Sequence, residues 1–145
     1  MTSPIRPRSR VGQALPGLVV LYAVASFVHF AHNAEFLTDY PNLPTWLTRV
    51  QVYAVWVGIT ALGVLAYSLL RAGRAIIGLC VLGVYAAIGF DGLLHYTRAP
   101  LAAHTAAMNV TIWAEVAAAA LLLAAVLTLI IRQLRAPRGA AVGRV

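Results

Sequence analysis

The chain contains no lysine and almost no acid. Its 145 residues hold eleven basic side chains, all arginine, and four acidic ones. Only 10 % of the residues are charged, while 61 % are hydrophobic. That balance excludes an ordinary soluble domain and suits a chain whose solvent is lipid. Cysteine occurs once, as Cys80 inside an apolar run. One cysteine excludes an internal disulfide or a CxxC metal site and reads as a small packing residue. There is no P-loop, no GxGxxG opening a helix, no HExxH and no GxSxG. The net charge of +7 is not a nucleic-acid signal, because the arginines flank apolar runs and form no single stripe. The Ala, Val, Gly and Arg bias matches a GC-rich bacterial genome.

What the chain does have is four long apolar runs, over about 14–37, 50–70, 75–96 and 103–131. Each reaches the roughly 20 residues that cross about 30 Å of hydrocarbon as a helix. Helix is required because lipid offers no partner to an unpaired backbone group. The links "TDYPNLPTWLTR", "RAGR" and "TRAPLA" are short, which makes neighbouring helices antiparallel. The expected fold is an all-α membrane protein, an antiparallel four-transmembrane-helix bundle over 14–131. Basic tails flank it at 1–13 and 132–145.

Sidedness follows from arginine. Arg6, Arg8, Arg10, Arg71, Arg74, Arg132, Arg135, Arg138 and Arg144 fall on one side, and only Arg49 and Arg98 on the other. The positive-inside rule then places both termini in the cytoplasm and the protein in the plasma membrane. Residues 1–25 also read as a signal peptide ending at Ala23-Val24-Ala25. Against cleavage, the apolar run continues through Phe27, Val28 and Phe30.

With this topology, all four histidines and all four acids lie in the outer half. The stretch "FVHFAHNAEF" alone carries His29, His32, Asn33 and Glu35. Asp91 and His95 are four apart and would share a helix face. His104, Met108, Thr111 and Glu115 recur at steps of four, three and four as one stripe, with Asn109 beside it. A carboxylate at the depth of Asp91 or Glu115 costs several kcal/mol unless it is paired, protonated or hydrated. In "TDYPNLPTW", Pro41 and Pro44 stop helix formation, and Tyr40 and Trp46 are candidate headgroup anchors. Thr45 is the expected N-cap of the second helix. Tyr22-Ala23, Ser26-Phe27 and His32 match Tyr85-Ala86, Gly89-Phe90 and His95 at a constant offset, a weak sign of a duplicated hairpin.

Three functional readings remain open. In the first, His29, His32, His95 and His104, with Asp91, Glu35 and Glu115, bind a transition metal. Haem is a variant of this reading, with His32 and His95 as axial ligands. In the second, the protein is an intramembrane acid–base enzyme acting on a lipid-like substrate. Asp91 and His95 would form its base and Glu115 its acid, with Asn33, Met108, Asn109 and Thr111 lining the pocket. In the third, it is a non-catalytic accessory subunit or small carrier whose polar residues tie helices together. Its partners would be the lipid bilayer and either a second copy or a larger membrane protein, and no nucleic acid.

Overall fold

A computed structural model describes residues 10–135. Arg6, Arg8, Arg138 and Arg144 of the two tails lie outside the described residues, as does the start of the alternative signal peptide. Within them the chain is helical with no strand. Its main elements are α1 (Arg10–Glu35), α2 (Arg49–Arg71), α3 (Ala75–Ile88), a one-turn α4 (His95–Arg98) and α5 (Ala106–Arg135). Four stretches are long and apolar enough to cross a membrane: Arg10–Glu35, Arg49–Arg71, Ala75–Arg98 and Ala106–Arg135. Large apolar side chains such as Val20, Val50, Val57, Val64 and Val110 stand exposed on the outside. Lipid satisfies such a surface, whereas water does not.

The long helices contact one another in a ring: α1 touches α2 and α5, and α3 touches α2 and α5. Across the diagonal, Tyr22 of α1 and Tyr85 of α3 meet edge to face with ring centroids 4.7 Å apart. Both are among the largest fully buried side chains and share one core cluster with Leu82, Leu122 and Val126. Along the α3–α5 seam, a Cβ at Gly83 would touch Val126, one at Gly89 would touch Ala119, and one at Gly92 would touch Ile112.

The turns explain where the helices begin and end. α2 is capped by Thr48, whose hydroxyl accepts from Gln51 N while Gln51 Oε1 accepts from Thr48 N at 2.8 Å. This reciprocal box needs Gln or Glu three residues after the cap. Thr45 has Thr48 there instead, so the N-cap is Thr48 and not Thr45. The link from α2 to α3 turns on Gly73, with φ at +76°, and Arg74 N bonds back to Leu69 O. That is the left-handed C-terminal cap that glycine favours.

The third apolar run is not one helix to Tyr96. α3 stops at Ile88, a 3-10 turn covers Asp91–Leu94, and α4 adds one turn before Ala99 and Pro100 end it. Gly89 lies at the break, and its bare α-carbon is required there. A Cβ would meet the Tyr22 ring at 2.5 Å and Ala119 Cβ at 2.7 Å. The tighter three-residue turn also cancels the face-sharing expected of Asp91 and His95, which assumed α-helical spacing.

Candidate functional site

On α1, Tyr22, Ser26, His29, Phe30 and Asn33 are all buried. Their spacing of three or four residues makes them one inward stripe. His29 is the centre of the polar cluster. Its Nε2 lies 3.6 Å from Glu115 Oε2 of α5, and the two residues are 2 % and 0 % exposed. The same Nε2 is 3.0 Å from Asn33 Nδ2, and Asn33 Nδ2 is 3.4 Å from His95 Nε2. On the other side of the ring, His29 Nδ1 is 3.5 Å from Thr111 Oγ1.

The hydrogen-bond directions follow from the chemistry of each group. Thr111 donates its hydroxyl proton to Met108 O, leaving a lone pair toward His29 Nδ1. Asn33 Nδ2 has only protons to give, so Nε2 of His29 and of His95 both accept. His29 is therefore the tautomer with its proton on Nδ1, and its Nε2, which accepts from Asn33, also lies 3.6 Å from Glu115 Oε2. Neither carboxyl oxygen of Glu115 has a hydrogen-bond partner among the described residues, nor do the buried Tyr22 OH and Ser26 Oγ of the same stripe. The 3.6 Å approach of Glu115 Oε2 to His29 Nε2 is beyond hydrogen-bond distance, while Nε2 accepts from Asn33.

A cleft of about 210 Å³ opens onto this cluster from the outside. Its polar wall includes His29, Asn33, Asp91, His95 and Arg98, and its apolar wall Leu37, Leu43, Leu47, Val52 and Val55. Gly92 forms part of the lining and screens the pair: a Cβ there would sit 3.6 Å from His29 Nε2 and 3.7 Å from Glu115 Oε2. The missing side chain leaves the pair within one atom's reach of the cleft.

The other expected residues lie in different surroundings. His32 is bonded through Nδ1 to Tyr40 OH at 2.8 Å, and the Tyr40 ring packs 4.9 Å from that of His95. Tyr40 is 3 % exposed, so it is no headgroup anchor; Trp46, 69 % exposed, has the position for that role. Burial pushes the Tyr40 phenol up to about 12. His104 precedes α5, donates from Nδ1 to Pro100 O at 3.1 Å and meets the His95 ring edge to face with centroids 6.1 Å apart. Glu35 points away from the cluster and accepts from Arg49 Nη1 at 3.0 Å and Tyr53 OH at 2.8 Å. Asn109 accepts from Tyr96 OH and donates to Leu101 O and His104 O, which fastens the loop before α5 and leaves it out of the cleft lining. Met108 is buried beneath that loop, with Sδ accepting from Thr105 N. No hydrogen bond joins Asp91 to His95; the acid that pairs with imidazole is Glu115.

These positions bear directly on the metal and haem readings. Among the described residues, no three His, Cys, Asp or Glu side chains form a group that could hold a metal ion. His32 is committed to Tyr40, and Glu35 to Arg49. The Tyr40 ring packs against both His32 and His95, and the Asn33 amide bridges His29 and His95.

The chain matches no protein-family model, no curated protein and no solved structure.

Three members of the site were not expected from the sequence: Tyr22, Ser26 and Tyr40. For the first two a signal was present. Tyr22, Ser26, His29 and Asn33 put four polar-tipped residues at steps of four, three and four on one face of an apolar helix. Tyr40 carried no such signal, since a loop tyrosine beside prolines reads equally well as an interfacial anchor.

Proposed function

We propose that the protein crosses the bilayer four times, with successive helices antiparallel and both termini cytoplasmic. We further propose that its His29–Glu115 pair exchanges a proton with an amphipathic molecule entering the cleft from lipid. The contacts of α3 and the turn after it with α5 support the antiparallel arrangement: as residue numbers rise from Gly83 on α3 to Gly92 in that turn, those opposite on α5 fall from Val126 to Ile112. Nine arginines against two support the sidedness.

One observation carries the chemical reading. A fully buried carboxyl, without a hydrogen bond among the described residues, lies 3.6 Å from an imidazole nitrogen beside a glycine that lines an open cleft. Buried ionisable groups in a bundle mark ligand or proton pathways, because their desolvation is otherwise uncompensated. Imidazole is the common general acid–base group, and a carboxyl partner sets its orientation and proton supply. The two-sided lining, with Leu37, Leu43, Leu47, Val52 and Val55 on one wall and His29, Asn33, Asp91, His95 and Arg98 on the other, suits a molecule with one polar end.

The test is infrared difference spectroscopy on the protein reconstituted in bilayers, titrated with acid and base. A carboxyl band and an imidazole band should change together, and both changes should vanish in Glu115→Gln. Organic extracts of the purified protein should contain an amphiphile that is lost in Val55→Trp, which narrows the cleft from an exposed wall position. A carboxyl band unaffected by Glu115→Gln would overturn the proton-exchange reading. Near-stoichiometric metal in the purified protein would replace it with a metal centre.

A further inference from the structure

At the opposite end of α1 and α2 lies a second cavity, of about 400 Å³. Leu15, Pro16 and Val19 of α1, Leu70 of α2 and Leu82 of α3 form its apolar body. Tyr67 and Arg71 stand along its α2 side. They are four residues apart, so hydroxyl and guanidinium lie on one helix face. Both are exposed, and among the described residues neither side chain has a hydrogen bond or ion pair.

Charge at this end is of one sign. Arg10 begins α1, and Arg71 and Arg74 bracket the turn after α2. All four acids of the chain lie elsewhere: Glu35 and Asp39 follow the far end of α1, Asp91 lies beyond α3, and Glu115 is against His29. An apolar groove whose rim carries an unpaired guanidinium and no acid is complementary to one component of a bilayer: an anionic phospholipid.

We infer that this groove is a binding site for a single anionic phospholipid, with one acyl chain along α1 and its phosphate on Arg71 and Tyr67. Guanidinium matches phosphate in a two-point, charge-assisted contact that a zwitterionic headgroup weakens by its own cation. Basic pockets between transmembrane helices recognise anionic headgroups in this way. The groove shares no residue with the outer cleft and shares only the membrane setting with the proposed function.

The experiment is native mass spectrometry of the full chain, released from nanodiscs of equal phosphatidylglycerol and phosphatidylcholine. The wild-type protein should retain one phosphatidylglycerol, preferred over phosphatidylcholine by about fivefold or more. Arg71→Gln should abolish the preference, and Arg74→Gln, outside the groove lining, should keep it. Val20→Trp fills the groove from an exposed lining position and should abolish retention of either lipid while circular dichroism stays helical. Equal retention of the two lipids by the wild type would overturn the headgroup assignment. Retention that survives Val20→Trp, or is lost equally in Arg71→Gln and Arg74→Gln, would overturn the site.

Discussion

His29 Nε2 and Glu115 Oε2 lie 3.6 Å apart on α1 and α5, and both side chains are buried. The relationship brings a buried imidazole and a buried carboxyl together across two helices, and the proposed proton exchange would run through this contact. Removing one partner leaves the other a buried, unsatisfied polar group, which typically costs about 1–3 kcal/mol. His29→Ala should therefore destabilise the protein in detergent unfolding, and Glu115→Gln less, because the amide keeps the shape of the protonated carboxyl. The double variant should be more stable than the sum of the two single losses predicts. Simple additivity in that cycle would show that the pair does not interact.

The Asn33 amide is the second bridge, linking Nε2 of His29 to Nε2 of His95. Its geometry assigns both imidazoles a proton on Nδ1. Nitrogen-15 spectra of histidine-labelled protein near neutral pH should show Nδ1–H tautomers for these two rings. In Asn33→Leu, two imidazole nitrogens lose their donor, and stability should fall by about 1–3 kcal/mol. Nε2–H signals for both rings in the wild type would refute the assignment.

The four spans were legible in the sequence because hydropathy sums over twenty residues and tolerates local error. The break at Gly89 was not, since Ile88-Gly89-Phe90 is as apolar as what precedes it. Its cause is a contact from another helix, the Tyr22 ring against the glycine. That break also decided which acid meets an imidazole: periodicity paired Asp91 with His95, whereas the structure pairs Glu115 with His29. Glu35 was grouped with its sequence neighbours His32 and Asn33. Its partners, Arg49 and Tyr53, come from the far side of a loop, and a linear reading has no means to see them. The polar stripe itself was readable. Depth and face grouped the histidines with Glu115 across the bundle, but did not say which imidazole lies nearest to it.

Tyr40 closes the outer end of the cluster. With its folded value at about 12 against 10 in the unfolded chain, the protonated phenol is the form the fold favours. Stability from this group is complete below pH 10 and declines as pH rises through about 12. Tyr40→Phe keeps the ring against His95 and deletes the 2.8 Å bond to His32. It should cost about 0.5–1.5 kcal/mol at neutral pH and flatten the alkaline arm of the stability profile. An unchanged alkaline arm would place the loss in another group.

Gly89 and Gly92 stand three residues apart and predict opposite outcomes for the same substitution. A Cβ at Gly89 would penetrate the Tyr22 ring at 2.5 Å and Ala119 Cβ at 2.7 Å, and both neighbours are fully buried. Gly89→Ala should cost about 1–3 kcal/mol through overpacking. At Gly92 the nearest atoms are Ile112 Cγ2 at 3.5 Å, His29 Nε2 at 3.6 Å and Glu115 Oε2 at 3.7 Å, all ordinary contact distances. Gly92→Ala should leave stability nearly unchanged and lay a methyl group between the cleft and the proton-sharing pair. Hydrogen–deuterium exchange of the Glu115 carboxyl, followed by infrared spectroscopy, should then slow relative to the wild type. Equal exchange rates would mean that protons reach Glu115 by a route other than past Gly92, and the cleft would lose its connection to the acid.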